Sequence, residues 1–162
     1  MIYSRIRELD TTGLSLCKQQ AELFSLASNN IACGSSYFAR KYFNSSYALE
    51  FDNLAILRSS STNEGYMNEF LDHHYENKGI RYPSDVMHWI GFIYRYWSYT
   101  RDVSSKQLYK RYPLSELIKY YNLYHSVDPE IVIETIKAED NDIDYYQKAK
   151  SFHEQWKKEH KQ

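Results

Sequence analysis

The sequence predicts an all-α protein, a single-domain bundle of six to eight helices packed around one central buried helix. Apolar residues recur at three- and four-residue spacing along most of the 162 residues, which is the period of a helix with one buried face. Each of the three prolines stands where such a segment begins, a position that proline favours. The short apolar run of residues 54–58 has no partner run for strand pairing, so we interpret it as a helix end or a buried loop.

The predicted central helix spans Ser84 to Arg101. Pro83 sets φ for a helix start, and Ser84 or Asp85 can cap the first N–H groups. One apolar stripe recurs at helical spacing, and other large side chains cover much of the remaining circumference. The stripe comprises Val86, Trp89, Ile90, Ile93 and Trp97. Because burying one such side chain contributes roughly 1.5–3 kcal/mol, we expect that loss of this helix unfolds the protein.

Shorter helical segments precede the central helix. Residues 2–9 have helical spacing, and a second segment ends at Asn29-Asn30. Two short helices follow behind polar capping groups, residues 37–43 after Gly34-Ser35-Ser36 and residues 47–51 after Asn44-Ser45-Ser46. Thr62 or Asn63 caps a further helix through residues 66–71, and Gly79 is predicted to end it.

Three helical segments follow the central helix, beginning at Ser104-Ser105, at Pro113 and at Asp128-Pro129. The acidic run of residues 139–142 interrupts the apolar pattern, so we predict a hinge there. This divides the chain into a helical core of residues 1–139 and a C-terminal amphipathic helix of residues 140–162. The last helix either packs back on the core or presents its aromatic face to a partner.

Charge and cysteine content narrow the class of protein. Twenty basic and 21 acidic residues give a net charge of −1, so the chain lacks the basic field of a typical nucleic-acid-binding protein. Cys17 and Cys33 form no CxxC pair, which favours reduced thiols. The first ten residues carry no apolar core of a signal peptide, and the apolar runs are too short to span a bilayer. We therefore expect a soluble, cytoplasmic protein without membrane contact.

No motif of metal or cofactor chemistry is present in the sequence. His153-Glu154 begins like the zinc motif HExxH, but Lys157 stands where the second His must be. Glycines are scattered singly and form no phosphate-binding loop. We therefore expect neither a metal nor a cofactor.

Arg95 and His125 form the strongest catalytic hypothesis. In small all-helical ribonucleases, an Arg can stabilise phosphate charge while a His on a neighbouring helix acts as acid or base. In the alternative interpretation, Arg95 is a partly buried guanidinium held by a carboxylate and Tyr hydroxyls. His125 then closes a helix C-terminus, where its charge or its N–H suits the last carbonyl groups.

Four segments carry a family resemblance: SSYFARKYFNSS (35–46), HWIGFIYRYW (88–97), SSKQLYK (104–110) and YHSVDPEIVIE (124–134). They resemble a family of small all-helical bacterial proteins associated with two-gene toxin–antitoxin or phage-defence operons. The sequence departs from that family at Ala39, where a basic residue is expected, at Phe43, where Met is usual, and at Ser126-Val127, where Thr-Leu is common. The resemblance implies a non-catalytic, antitoxin-like component whose partner is an ADP-ribosyltransferase-like toxin.

Our leading functional hypothesis is a protein-binding module that neutralises a cognate toxin by covering its active site. Tyr145, Phe152 and Trp156 recur at helical spacing on the last helix, and they are the predicted partner-binding residues. Two alternatives remain open. One is a metal-independent ribonuclease or toxin that uses Arg95 and His125, and the other is a phage-encoded inhibitor or adaptor.

Overall fold

The computed structural model describes residues 5–73 and 77–160, and the side chains of residues 142–145 lie outside that description. The described residues form helices, turns and loops without a β-strand, so the predicted all-α class is confirmed. They divide into two compact units, one of residues 5–126 and one of residues 127–160.

Two long helices, each followed by three shorter ones, make up the described part of the first unit. They are α1 (Thr11–Asn30), α2 (Ser35–Phe43), α3 (Ser46–Asp52), α4 (Asn63–Asp72), α5 (Ser84–Arg101), α6 (Ser105–Arg111), α7 (Leu114–Leu117) and α8 (Tyr121–Tyr124). Helix α5 has the bounds that the sequence predicts. The segment after Pro113, predicted as one helix, is interrupted by a 3-10 turn at Ile118–Tyr120.

The contact between α1 and α5 forms the centre of this unit. Gly91 of α5 lies so close to α1 that an added Cβ would be 2.9 Å from the carbonyl oxygen of Gln20 and 2.9 Å from Cγ of Phe24. Only a residue without a side chain allows this approach without a shift of the neighbouring atoms. The two longest helices of the unit therefore pack through a glycine contact.

Burial of α5 increases towards its C-terminus, where every side chain from Ile93 to Arg101 is buried. The predicted central buried helix is therefore confirmed. Val86 and Trp89, which the sequence places in the core stripe, are only half-buried. The ring of Trp89 lies edge-on against half-exposed Tyr121 at 5.6 Å between centroids, while Met87 is fully buried.

Polar side chains cap most of the described helices, and the caps of α3, α4 and α6 are among those that the sequence predicts. In each case a side-chain oxygen accepts a hydrogen bond from a backbone N–H of the first turn. The caps are Asp10 of α1, Ser45 of α3, Thr62 of α4 and Ser104 of α6. The caps predicted for α2 and α5 are wrong, because Gly34 and Pro83 occupy their N-cap positions and no side chain caps either helix.

Two predictions for the N-terminal half are wrong. Residues 5–10 are not helical, because the N–H groups of Ile6 and Arg7 donate to the carbonyl of Thr100 at 2.9 and 3.2 Å. Ile2 lies outside the described residues. Helix α4 ends at Asp72 rather than at Gly79. Gly79 instead packs against Gly34, where an added Cβ would lie 2.7 Å from the Cα of Gly79.

The second unit consists of one long helix, α9 (Pro129–Glu159), which Asp128 caps and Pro129 begins as predicted. The predicted hinge at residues 139–142 is wrong, because the helix continues through it. No Gly or Pro follows Pro129, and each Asp or Asn costs helix stability less than about 1 kcal/mol.

Among the described side chains of α9, the buried ones lie in its first turns and are Val132, Ile133 and Ile136. Within the described ranges, none of the helices has the length and the apolar character that crossing a bilayer would require.

The glycine contact between α1 and α5 gives a stability prediction. We expect Gly91→Ala to lower the free energy of unfolding by about 1–3 kcal/mol, because the methyl group overpacks the interface. Gly65→Ala at an exposed position of α4 is the matched control, since its Cβ would meet only Thr62 Oγ1 at 3.2 Å. Alanine should raise stability there by up to about 1 kcal/mol. Urea unfolding followed by circular dichroism measures both, and equal effects at the two sites would contradict the close approach.

Asp10 joins the start of α1 to the end of α5. Its carboxylate accepts hydrogen bonds from Gly13 N at 2.8 Å and from the Tyr99 hydroxyl at 2.7 Å. The bond from Gly13 and then the bond from Tyr99 hold the pKa of Asp10 below its ordinary value of 3.8. The folded state therefore favours the charged form of this side chain.

This lowered pKa predicts an acid-sensitive contribution to stability. The contribution is complete above the unfolded-state pKa and is lost as the pH falls through the lower folded-state pKa. Asp10→Asn keeps a capping side chain but cannot ionise. The stability difference between the parent protein and this variant should therefore shrink as urea unfolding is repeated from neutral pH to well below 3.8. A difference that stays constant with pH would show that the charge of Asp10 contributes nothing.

Candidate functional site

The exposed aromatic side chains of α9 form the main candidate site. Phe152 is 71% exposed and Trp156 is 50% exposed, and they lie four residues apart on one side of the helix. Every described side chain from Tyr146 to His160 is exposed. Large aromatic side chains are usually buried for most of their area, and apolar groups left open in this way mark interaction surfaces.

Contacts within the helix hold the indole of Trp156 in place. The imidazole of His160 stacks on it with ring centroids 4.5 Å apart and an angle of 20° between the planes. Nδ1 of His160 lies 2.9 Å from the carbonyl oxygen of Trp156, which fixes the imidazole in turn. A side chain that is already ordered loses less conformational entropy when a partner covers it.

Charged residues surround these aromatic side chains, as in the polar rim of a protein interface. Residues 146–160 contain four lysines and two glutamates, a net charge of +2 with neutral His. They are Lys148, Lys150, Lys157, Lys158, Glu154 and Glu159. This end of α9 therefore combines an aromatic surface with a basic surrounding.

The structure brings together two of the three predicted partner-binding residues, Phe152 and Trp156. The side chain of the third, Tyr145, lies outside the described residues. Tyr146 was not predicted, yet it is 70% exposed. The sequence signal for it was weak because it falls off the stripe that Phe152 and Trp156 define, so spacing alone did not select it.

Arg95 lies in a buried polar network, with its side chain only 1% exposed. Its Nη1 donates to Asp52 Oδ1 at 2.6 Å. Its Nε and Nη2 donate to Gln20 Oε1 at 3.0 and 2.7 Å. The interpretation as a guanidinium held by a carboxylate is thus confirmed, although the side chain is fully rather than partly buried.

The partners of Arg95 are themselves held by further hydrogen bonds. The hydroxyl of Tyr42 donates to Gln20 Oε1 at 2.7 Å. Arg95 donates to the same oxygen, so the Tyr hydroxyl is linked to Arg95 through Gln20. Asp52 Oδ2 accepts from both N and Oγ of Ser105 at 3.1 Å. Burial raises the pKa of Tyr42 well above the ordinary value, so this hydroxyl remains a donor at neutral pH.

His125 has different surroundings. Its side chain is exposed, its Nδ1 lies 2.9 Å from the carbonyl oxygen of Tyr121, and its ring stacks on Tyr121 at 4.8 Å. It occupies the C-cap position of α8, as the capping interpretation predicts. Catalysis by Arg95 and His125 together would require Arg95 to leave its buried network, because a guanidinium that is 1% exposed cannot meet a phosphate in solvent.

The other groups that could carry chemistry are the two cysteines and any cluster of metal-binding side chains. Cys17 and Cys33 are both buried and unoxidised, and burial raises the pKa of Cys17 to about 12. A thiol with so high a pKa is a poor nucleophile at neutral pH. Across the part of the chain that the structure describes, no three His, Cys, Asp or Glu side chains cluster as metal ligands.

Comparison of the chain with protein-family models, with curated proteins and with solved structures gave no match. The class of protein is defined here by the fold and the candidate site alone: it is an all-α protein whose long helix α9 presents exposed aromatic side chains.

The buried network around Arg95 should contribute more to the free energy of unfolding than an exposed ion pair does. We expect Asp52→Ala to lower the free energy of unfolding by about 3–5 kcal/mol, because it leaves the Arg95 charge buried without its carboxylate. Glu116→Ala is the control, since it breaks the exposed Lys119–Glu116 pair at 3.1 Å and should cost at most about 1 kcal/mol. Urea unfolding measures both variants. A small loss for Asp52→Ala would mean that water reaches Arg95.

Proposed function

We propose that this protein is a non-catalytic binding protein of the antitoxin type, which neutralises a cognate toxin by covering the toxin's active site. The observation that carries the proposal is the exposure of Phe152 and Trp156, 71% and 50%, on a helix whose surrounding residues are charged. A surface of this kind suits insertion of a helix into the groove of another protein.

The energetics of interfaces support this use of α9. A few buried aromatic anchors usually carry most of the binding free energy, and each anchor can contribute more than about 2 kcal/mol. Phe152 and Trp156 are exposed aromatic side chains of this helix that offer such burial. The four lysines of residues 146–160 would add attraction to carboxylates at the rim of the groove, which speeds association.

The choice of a toxin as the partner comes from the resemblance of residues 35–134 to the antitoxin-like component of toxin–antitoxin or phage-defence operons. That resemblance implies an ADP-ribosyltransferase-like enzyme encoded beside this chain. Enzyme active sites are usually concave, and a helix that lays an aromatic face into such a groove would cover it.

The proposal predicts that the two aromatic anchors are required for neutralisation. The gene product encoded beside this chain is expressed alone and together with this protein, and growth is followed. We expect co-expression with the parent protein to restore growth, and Phe152→Ala/Trp156→Ala to abolish both rescue and co-purification. Leu123→Ala is the control, because Leu123 is 76% exposed but lies on α8.

Circular dichroism must show that the double variant keeps its helix content, which we expect because both side chains are exposed. A double variant that still rescues growth would refute the proposed site. Growth arrest by this protein expressed alone, relieved by His125→Ala, would replace the proposal with the ribonuclease alternative.

A further inference from the structure

Helix α9 has a second apolar face besides the buried one. Apart from Tyr146, which lies about 80° to one side at 100° per residue, its described exposed apolar side chains follow one another at intervals of 7, 11, 3 and 4 residues. They are Ile131, Ala138, Ala149, Phe152 and Trp156. These intervals are close to whole turns, so the five side chains share one face, which we name the open face. The mean direction of this open face is about 170° from that of the buried side chains of α9 at 100° per residue.

The described members of the open face lie in two groups, Ile131 and Ala138 near the start of α9 and Ala149 to Trp156 near its end. From Ile131 to Trp156 the open face spans 25 residues, or about 38 Å at 1.5 Å per residue. Ile131 is 55% exposed, so the face is open at both ends. The seven-residue interval from Ile131 to Ala138, and the 14 residues from Ala138 to Phe152, match the repeat by which helices pair along a seam.

Charge is distributed unevenly between the two halves of α9. Residues 129–144 contain six acidic residues and one lysine, a net charge of −5, whereas residues 145–160 have a net charge of +2. Paired helices lie roughly 8–10 Å apart, a distance comparable to the Debye length of about 8 Å at physiological ionic strength. The charges of one helix therefore act on those of a helix paired with it.

We infer that the open face of α9 is a self-association surface, and that its occupant is the open face of a second copy of this chain in antiparallel orientation. Antiparallel pairing centred near residue 145 places the acidic half of each helix opposite the basic half of the other. Parallel pairing would set acidic against acidic and basic against basic, which is unfavourable. The helix dipoles also favour the antiparallel arrangement.

The same pairing matches large side chains with small ones. With the centre near residue 145, Phe152 of one copy faces Ala138 of the second copy. Trp156 faces Glu134, which is exposed between Ile131 and Ala138 of that copy. Interdigitation of large and small residues is the packing that helix pairs need. The inference goes beyond the proposed function, since the second copy would shield the open face until a cognate partner displaces it.

Sedimentation velocity of the full chain over a range of concentrations tests the self-association. We expect a dimer of about twice the 19.4 kDa chain mass. Phe152→Ala/Trp156→Ala should raise the dissociation constant by about tenfold or more, because buried aromatic anchors dominate interfaces. Leu123→Ala should leave it unchanged. A parent protein that stays monomeric, or a dimer that the double variant does not weaken, would overturn the inference.

Disulfide formation tests the orientation. In the antiparallel pair, position 138 of one copy lies near position 152 of the other, while the two copies of position 138 are about 21 Å apart along the axis. A mixture of Ala138→Cys and Phe152→Cys chains should therefore form a crossed disulfide, and Ala138→Cys alone should not, because bridging needs Cα atoms closer than about 7 Å. Cys17 and Cys33 are buried and do not compete. A disulfide from Ala138→Cys alone would indicate parallel pairing and refute the orientation.

The outcome is separable from that of the proposed function. A dimer that fails to neutralise the neighbouring gene product refutes the antitoxin proposal and leaves the self-association intact. A monomer that neutralises it refutes the self-association and leaves the antitoxin proposal intact.

Discussion

The buried charge of Arg95 is the constraint on which the arrangement of the first unit depends. A guanidinium removed from water is tolerated only when its donors find acceptors and its charge finds a carboxylate. Gln20 from α1 and Asp52 from α3 supply these groups. Tyr42 from α2 and Ser105 from α6 hold the two acceptors in turn. One side chain of α5 thus fixes the positions of four other helices.

Apolar packing brings these polar groups within reach of one another. The close approach at Gly91 lets Gln20 Nε2 donate to the Gly91 carbonyl at 2.8 Å, which orients its Oε1 towards Arg95. Phe24, one turn along α1, makes edge contacts with Phe38 at 5.4 Å and with Tyr42 at 5.3 Å. The chain has 17 tyrosines, and many of those that the structure describes are buried. A Tyr ring fills space while its hydroxyl supplies the hydrogen bond that a buried polar network requires.

Local features of the fold could be predicted from the sequence, and features that depend on distant residues could not. Prolines and capping side chains act within one turn, so the start of α9 at Asp128-Pro129 followed from two adjacent residues. The partner of Arg95 did not, because Asp52 lies 43 residues away and many carboxylates were available. Glycine is common just after the end of a helix, yet Gly79 does not end one and instead contacts Gly34. The acidic run at residues 139–142 lowers helix propensity, but in the absence of Gly or Pro this does not end a helix.

The same distinction applies to the candidate site. Helical spacing placed Phe152 and Trp156 on one face, but spacing is identical for a face that packs and a face that stays open. Exposure had to come from the structure. For Arg95 and His125, the sequence supplied the chemistry of the side chains and not their burial, and burial is what decides whether a guanidinium can meet a substrate.

Competition between a second copy and another partner for the open face of α9 would have a quantitative consequence for the binding of that partner. If a second copy covers Phe152 and Trp156, the partner meets only the fraction of chains whose face is free, and its apparent dissociation constant rises by the inverse of that fraction. The free fraction falls as the protein accumulates, so binding per chain weakens at high concentration although the total capacity grows. A cognate partner must therefore bind the face more tightly than the second copy does. The charge pattern of α9 makes this feasible, because the pairing of two identical helices depends on complementary halves, whereas a groove with carboxylates at its rim can engage the basic half alone.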